Sequence, residues 1–189
     1  MTIKNFPRVT QHQKELLKRV MNYFHKNGNG APFRNDYIVM RVSQQATNDY
    51  SDTIFIPNHN NEDDFEFWSP FKCNAFTSDA EKIITGSYDY RLAKRLGCIY
   101  GQQMGPVYYE NTQFQIVQTD SISRHLKGIN LIAHQIHSII PVVTPVSKAS
   151  SGSIVIHPSA HSLMKHNYND SECVFKLHVI DINFLLNQL

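Results

Sequence analysis

The stretch Phe67-Trp68-Ser69-Pro70-Phe71-Lys72-Cys73-Asn74-Ala75-Phe76-Thr77-Ser78-Asp79-Ala80-Glu81-Lys82-Ile83-Ile84 decides how the chain is read. Pro70 and its aromatic neighbours read as a loop, and the residues from Cys73 onward as a helix that Gly86 closes. Cys73 then stands in the first turn of a helix. The unpaired N–H groups and the positive dipole end there favour an anion. A thiolate in that position has a depressed pKa and is the nucleophilic form of the side chain. The same N–H groups can build part of an oxyanion hole. The plainer alternative is that Cys73 is a small buried hydrophobe.

Upstream, Gln11 to Lys26 carries Leu16, Leu17, Val20, Met21 and Phe24 at helical spacing, and Asn27-Gly28-Asn29-Gly30 ends the pattern. Tyr37 to Val42 and Thr53 to Ile56 read as short strands. Asn58 to Asp64 is a polar loop, and Asp63, Asp64 and Glu66 lack the glycine-centred spacing of a calcium loop. Downstream, Ser87 to Met104 is expected to hold a short helix over Tyr90 to Leu96, broken by Gly97 and Gly101. Gln113 to Val117 looks extended. Ser121 to Ile140 is expected to be helical, with Ile129, Ile132, Ala133 and Ile136 on one side. After a connector rich in Pro, Ser and Gly, three strands are expected: Ser153 to His157, His161 to His166, and Cys173 to Ile182. Helices first and a β-meander last define an α+β fold.

A cysteine nucleophile needs a base, usually histidine, held by a third polar group. A hairpin turn centred on Asn169-Asp170 puts His161 opposite His178, one as base and the other as its orienting partner. Asp181 and Asn183 are the fallback third members. For each histidine, a hydrogen-bonded structural role stays open. His157, His161 and His166 do not read as a metal site, because Pro158 argues against a helix there, no Glu follows His157, and zinc spacing is absent. Cys98 and Cys173 lack the helix-start position and read as structural.

Composition narrows the function classes. The chain has 189 residues, 41% hydrophobic and 18% charged, which argues against global disorder. Lys+Arg is 18 against Asp+Glu 16, a net charge of +2 with no basic run, unlike an obligate nucleic-acid binder. Three Cys cannot form a disulfide framework. The N-terminus shows no classical signal peptide, and no stretch approaches the ~20 apolar residues of a membrane span.

Lys72-Cys73-Asn74-Ala75-Phe76, with Asp79 and Ala80 following, resembles the nucleophile helix of papain-like cell-wall hydrolases of the NlpC and CHAP kind. Trp68 matches an aromatic often found just upstream. Ser151 to Ile156 resembles the family's GDIVI strand, with Ser153 in place of the usual Asp. Pro158 to Met164 resembles its GHVGI strand, which carries the catalytic His, with Ala160 in place of Gly. The resemblance covers Trp68 to about Asn183, and the separation of Cys73 from His161 is long for the family. It implies a papain-like fold over residues 1–189, with an N-terminal extension over 1–67 and a nucleophile helix packed on a C-terminal antiparallel β-meander.

The implied activity is hydrolysis of amide bonds in bacterial peptidoglycan, by a stem-peptide endopeptidase or amidase. Cys73 would attack, His161 would move the proton and His178 would hold the ring. Trp68 and Asn74 would contact substrate, and no cofactor or metal is called for. Without a signal peptide, such an enzyme is expected to reach its target wall by other means, as a type VI amidase effector or a phage lysin does. An effector would have an immunity protein as partner. Two other readings stay open: a papain-like protease, deamidase or acyltransferase acting on host protein, and an inactive binding domain.

Overall fold

The computed structural model describes residues 6–27, 30, 32, 35–42, 49–59, 67–78, 81–95, 97–110, 113–119, 131–133, 154–168 and 173–187. At 76–78, 81, 95, 98, 117–119 and 131–133 it describes the backbone alone. The segment that decides the fold is extended. Trp68–Asn74 is a strand, β3, and Phe76–Ser78 another, β4. The expected nucleophile helix at Cys73 is therefore not there, and the papain-like α+β fold is corrected to a mostly β architecture. The physical reason is the two-faced pattern of β3. Phe71 and Cys73 join one core, while Trp68 on the opposite face joins another. Pro70 is tolerated because it lies beyond the short pairing of β3 with its neighbour at Val155 and Ile156.

The chain opens with α1 (Gln11–Lys26), as its spacing predicts. Thr10 caps it in a reciprocal capping box with Gln13. Then come β1 (Tyr37–Arg41), β2 (Asp52–Pro57), β3 and β4, followed by β5 (Glu81–Ile83), β6 (Gly86–Arg95), β7 (Cys98–Gln103), β8 (Val107–Glu110), β9 (Ile116–Thr119) and β10 (Leu131–Ala133). β11 (Ile154–Ile156) leads through a 3₁₀ turn, Pro158–Ala160, into α2 (His161–Asn167), and β12 (Val174–Asp181) runs into α3 (Ile182–Leu186). Eight strands pair in a closed ring, β1-β12-β6-β7-β10-β11-β3-β2, and four others form a small sheet, β4-β5-β8-β9. Most ring pairs are antiparallel, but β1 with β12 and β10 with β11 are parallel.

Three further expectations change. Tyr90 to Leu96 was expected to be helical for its Leu, Ala, Lys and Arg, but β6 continues through Arg95 and pairs with β7 from Tyr90 to Arg95. Gly97, at φ +80°, belongs to the hairpin between these strands, a backbone region open to glycine. Leu131–Ala133 is a strand, which removes helix from the middle of 121–140; the rest of that span lies outside the described residues. His161 to His166 is helix α2, not strand, because Ala160, Leu163 and Met164 bury one helical face after Pro158 and the His157 cap.

Two cores follow from the strand alternation. Inside the ring lie Tyr37, Val39, Ile54, Ile56, Phe71, Tyr90, Leu92, Phe175, Leu177 and Val179, with Leu163 and Met164 of α2 packed on them. Outside, Leu17, Val20 and Phe24 of α1 cover Ile38, Met40, Phe55, Trp68 and Ile180. Each such apolar side chain contributes about 1.5–3 kcal/mol on burial. The two barrel ends differ. At one, Arg41 donates through Nη1 to the Ile83 carbonyl of the small sheet at 2.6 Å and lies 3.7 Å from Asp181. At the other, α2 leans over the start of β1 and the end of β2, with Asn167 Nδ2 donating to the Pro57 carbonyl at 2.7 Å.

Candidate functional site

The residues expected to form a catalytic site do not share one. Cys73 is 0% exposed inside the barrel, opposite Asp52 on β2 and Ile156 on β11. Burial pushes its thiol pKa well above the usual value, nearby Asp52 adds to the shift and Arg41 opposes it. This is the reverse of an activated thiolate. His161 begins α2 and its Nε2 accepts from the Ile99 N–H at 3.2 Å. Burial, and then Lys165, hold its pKa below that of an ordinary histidine.

His178 pairs with Ser87 and Ile38 rather than with His161, so the expected hairpin register is corrected. His161 lies in helix α2, which offers no ladder, and His178 alternates with the inward Leu177 and Val179 and points under α1. Trp68 and Asn74 are buried, donating to the carbonyls of Asp36 at 3.0 Å and Asp49 at 2.9 Å. Asp181 caps α3 through the N–H groups of Asn183 and Phe184.

His178 does take part in a relay that the sequence reading did not anticipate. Its Nδ1 lies 2.8 Å from Ser87 Oγ and its Nε2 lies 2.9 Å from Asp36 Oδ2. The other Asp36 oxygen accepts the Lys176 N–H at 3.0 Å. With Nε2 donating to the carboxylate, Nδ1 of the neutral ring accepts from the serine. Serine, histidine and aspartate in line is the order of a nucleophilic relay. Here the ring is 2% exposed and meets Phe24 of α1 edge-on at 4.9 Å. The relay ties the residue before β1 to β12 and β6 beneath that helix.

A second cluster lies at the α2 end of the barrel, away from Cys73. Asn35, Tyr37, Pro57, His59, Leu92, His166, Asn167, Cys173, Val174 and Phe175 line a pocket of about 310 Å³. Tyr37 is one of these residues. Its ring stacks on Phe175 at 4.2 Å, and its side chain is 2% exposed. Burial pushes its hydroxyl pKa up, while the neighbouring Asn167 side chain pulls the other way. Tyr37 Oη and Asn167 Oδ1 are both fully buried, with no partner at good hydrogen-bond geometry among the described residues. Leaving a buried hydroxyl unpaired costs about 1–3 kcal/mol.

The pocket residues were legible only singly. Tyr37 reads as a strand residue and Cys173 as structural. Only the closing of β1 against β12, and the turn of α2 over both, brings them together. Among the described residues no three His, Cys, Asp or Glu side chains converge as metal ligands, and no helix is long and apolar enough to cross a membrane. Comparison with known proteins matches no family model, no curated protein and no solved structure.

Proposed function

We propose that the protein binds a small organic ligand in the pocket at the α2 end of its barrel. The observation that carries the reading is the pocket itself, about 310 Å³ at the barrel end, lined in part by the stacked rings of Tyr37 and Phe175. A concave, mostly preformed site with apolar walls and a few convergent polar atoms is the ordinary form of a small-molecule site. Leu92, Phe175 and Pro57 supply apolar surface, and Asn35, His59 and His166 polar groups. The mouth of a β-barrel is a frequent place for such sites. The cysteine-hydrolase reading draws no support from the surroundings of Cys73, whose electrostatic neighbours are Asp52 and Arg41 rather than a histidine.

Cys173 makes the proposal testable, because its half-buried sulfur lines the same pocket. In a Cys98→Ser background, N-ethylmaleimide should modify Cys173 and leave Cys73 intact, as peptide mass mapping would read. Neutral fragments screened by ligand-observed NMR should bind the unmodified protein and the Cys173→Ser variant. The same fragments should not bind the maleimide adduct. A protein that binds no fragment, or whose binding ignores the adduct, contradicts the proposal. Fast modification of native Cys73 would instead favour the cysteine-nucleophile reading.

A further inference from the structure

We infer that Ser87 is a nucleophile, activated by the His178–Asp36 pair to take an acyl group from a small ester. The inference goes beyond the binding proposal and does not rest on it, because the relay lies on the outer face of the barrel at α1 and not in the pocket. Three observations carry it.

The first is the line of hydrogen bonds. Ser87 Oγ lies 2.8 Å from His178 Nδ1, and His178 Nε2 lies 2.9 Å from Asp36 Oδ2. Ser87 and His178 are direct partners in the β6–β12 ladder, so the strands themselves hold hydroxyl and ring on one face. A nucleophile within hydrogen-bond reach of a base, with the base oriented by a third group, is the arrangement that activates a hydroxyl.

The second is the anchoring of the acid end. The Asp36 carbonyl accepts from Trp68 Nε1 at 3.0 Å, and one carboxylate oxygen accepts the Lys176 N–H at 3.0 Å. The other carboxylate oxygen is thereby aimed at the ring. A carboxylate only accepts, so Nε2 carries the proton of the neutral ring and Nδ1 is left to accept from the serine. The third is the order of exposure. Asp36 and His178 are 5% and 2% exposed, while Ser87 is half-buried. Of the three residues only the serine is not buried, so an acyl donor meets the relay there.

The step these groups support is ester cleavage. Ser87 Oγ attacks the carbonyl carbon, and its proton passes to Nδ1. The imidazolium that forms is buried, but its charge is paired with the Asp36 carboxylate. As the bond to the leaving alcohol breaks, Nδ1 gives the proton to that oxygen, and an acyl–Ser87 ester remains. Water then attacks this ester, losing a proton to Nδ1. The carboxylic acid departs, and the proton returns to Ser87 Oγ.

A fluorophosphonate tests the nucleophile, because it leaves a stable phosphonyl group on an activated serine and releases fluoride. The native full chain should gain one such group, on Ser87 by peptide mass mapping, and the urea-unfolded chain none. Asp36→Asn keeps the shape of the side chain and removes its charge. It should slow the labelling about a hundredfold or more in a chain that circular dichroism shows to be folded. Should that variant unfold, the native chain against the unfolded chain and against Ser87→Ala decides alone. p-Nitrophenyl acetate should be hydrolysed by the native chain, and by Ser87→Ala no faster than by the unfolded chain. A native chain that is unlabelled or labelled elsewhere overturns the inference. So does Ser87 labelled as fast in the unfolded chain or in folded Asp36→Asn, or a Ser87→Ala chain that cleaves the ester at the native rate. Each of these results leaves the pocket reading standing.

Discussion

At the scale of single residues, one polar atom in the wrong surroundings says more than a motif. Cys73 sits in a sequence that resembles a nucleophile segment, yet its thiol is held protonated by burial. Tyr37 sits in no motif, yet its hydroxyl lacks a partner among the described residues where a phenylalanine would meet the same packing. His161 gives a residue-scale prediction. Its folded pKa is depressed below the ordinary 6.5 by burial and by Lys165. The folded chain then holds fewer protons on this ring than the unfolded chain, so stability rises with pH across that window. The contribution is present above the unfolded value and is lost as pH falls through the folded one. The same protonation removes the acceptor for the Ile99 N–H. His161→Gln replaces the ring with an acceptor that does not titrate. Urea midpoints measured from about pH 8 to about pH 5 should fall less steeply in the variant than in the native chain. Equal slopes would remove His161 from the acid response.

At the scale of elements, α1, β1, β2, β11 and β12 follow closely from their sequence patterns. α1 has a full helical stripe, and the four strands are short apolar runs rich in branched and aromatic residues. The misread elements share a physical cause: their neighbours override local preference. Tyr90 to Arg95 is made of helix formers, but Tyr90 and Leu92 point into the barrel and the backbone is taken up by β7 and β12. At Cys73 the capping logic fails because both of its neighbours, β2 and β11, offer a ladder.

The Ser87-His178-Asp36 relay belongs to this scale, since it joins elements rather than forming one. His178→Ala should cost about 3–5 kcal/mol, because it opens a cavity against Phe24 and leaves the Asp36 carboxylate without one of its partners. Ser87→Ala should cost only about 1 kcal/mol, one hydrogen bond at a part-buried site. Urea denaturation of both variants reads the difference. A His178→Ala variant no weaker than Ser87→Ala would show that the relay does not hold the strands together.

At the scale of the whole molecule, the barrel is finished differently at its two ends. The small sheet meets one end through Arg41 and the Ile83 carbonyl, and a short helix leans over the other. The resulting pocket was not legible in the sequence because its residues come from β1, the end of β2, β6, α2 and the approach to β12, which meet only when the ring closes. A fold that keeps the Tyr37 hydroxyl buried without a well-formed hydrogen bond gives up stability, a common exchange at functional sites. That exchange is the central claim, and the unfolding free energy of Tyr37→Phe in the absence of ligand tests it most directly. Deleting the hydroxyl keeps the ring on Phe175 and removes the unpaired group, so the variant should be more stable than the native chain by about 1–2 kcal/mol in urea denaturation. A Tyr37→Phe variant less stable than the native chain would mean that the hydroxyl already serves the fold, and would contradict the claim.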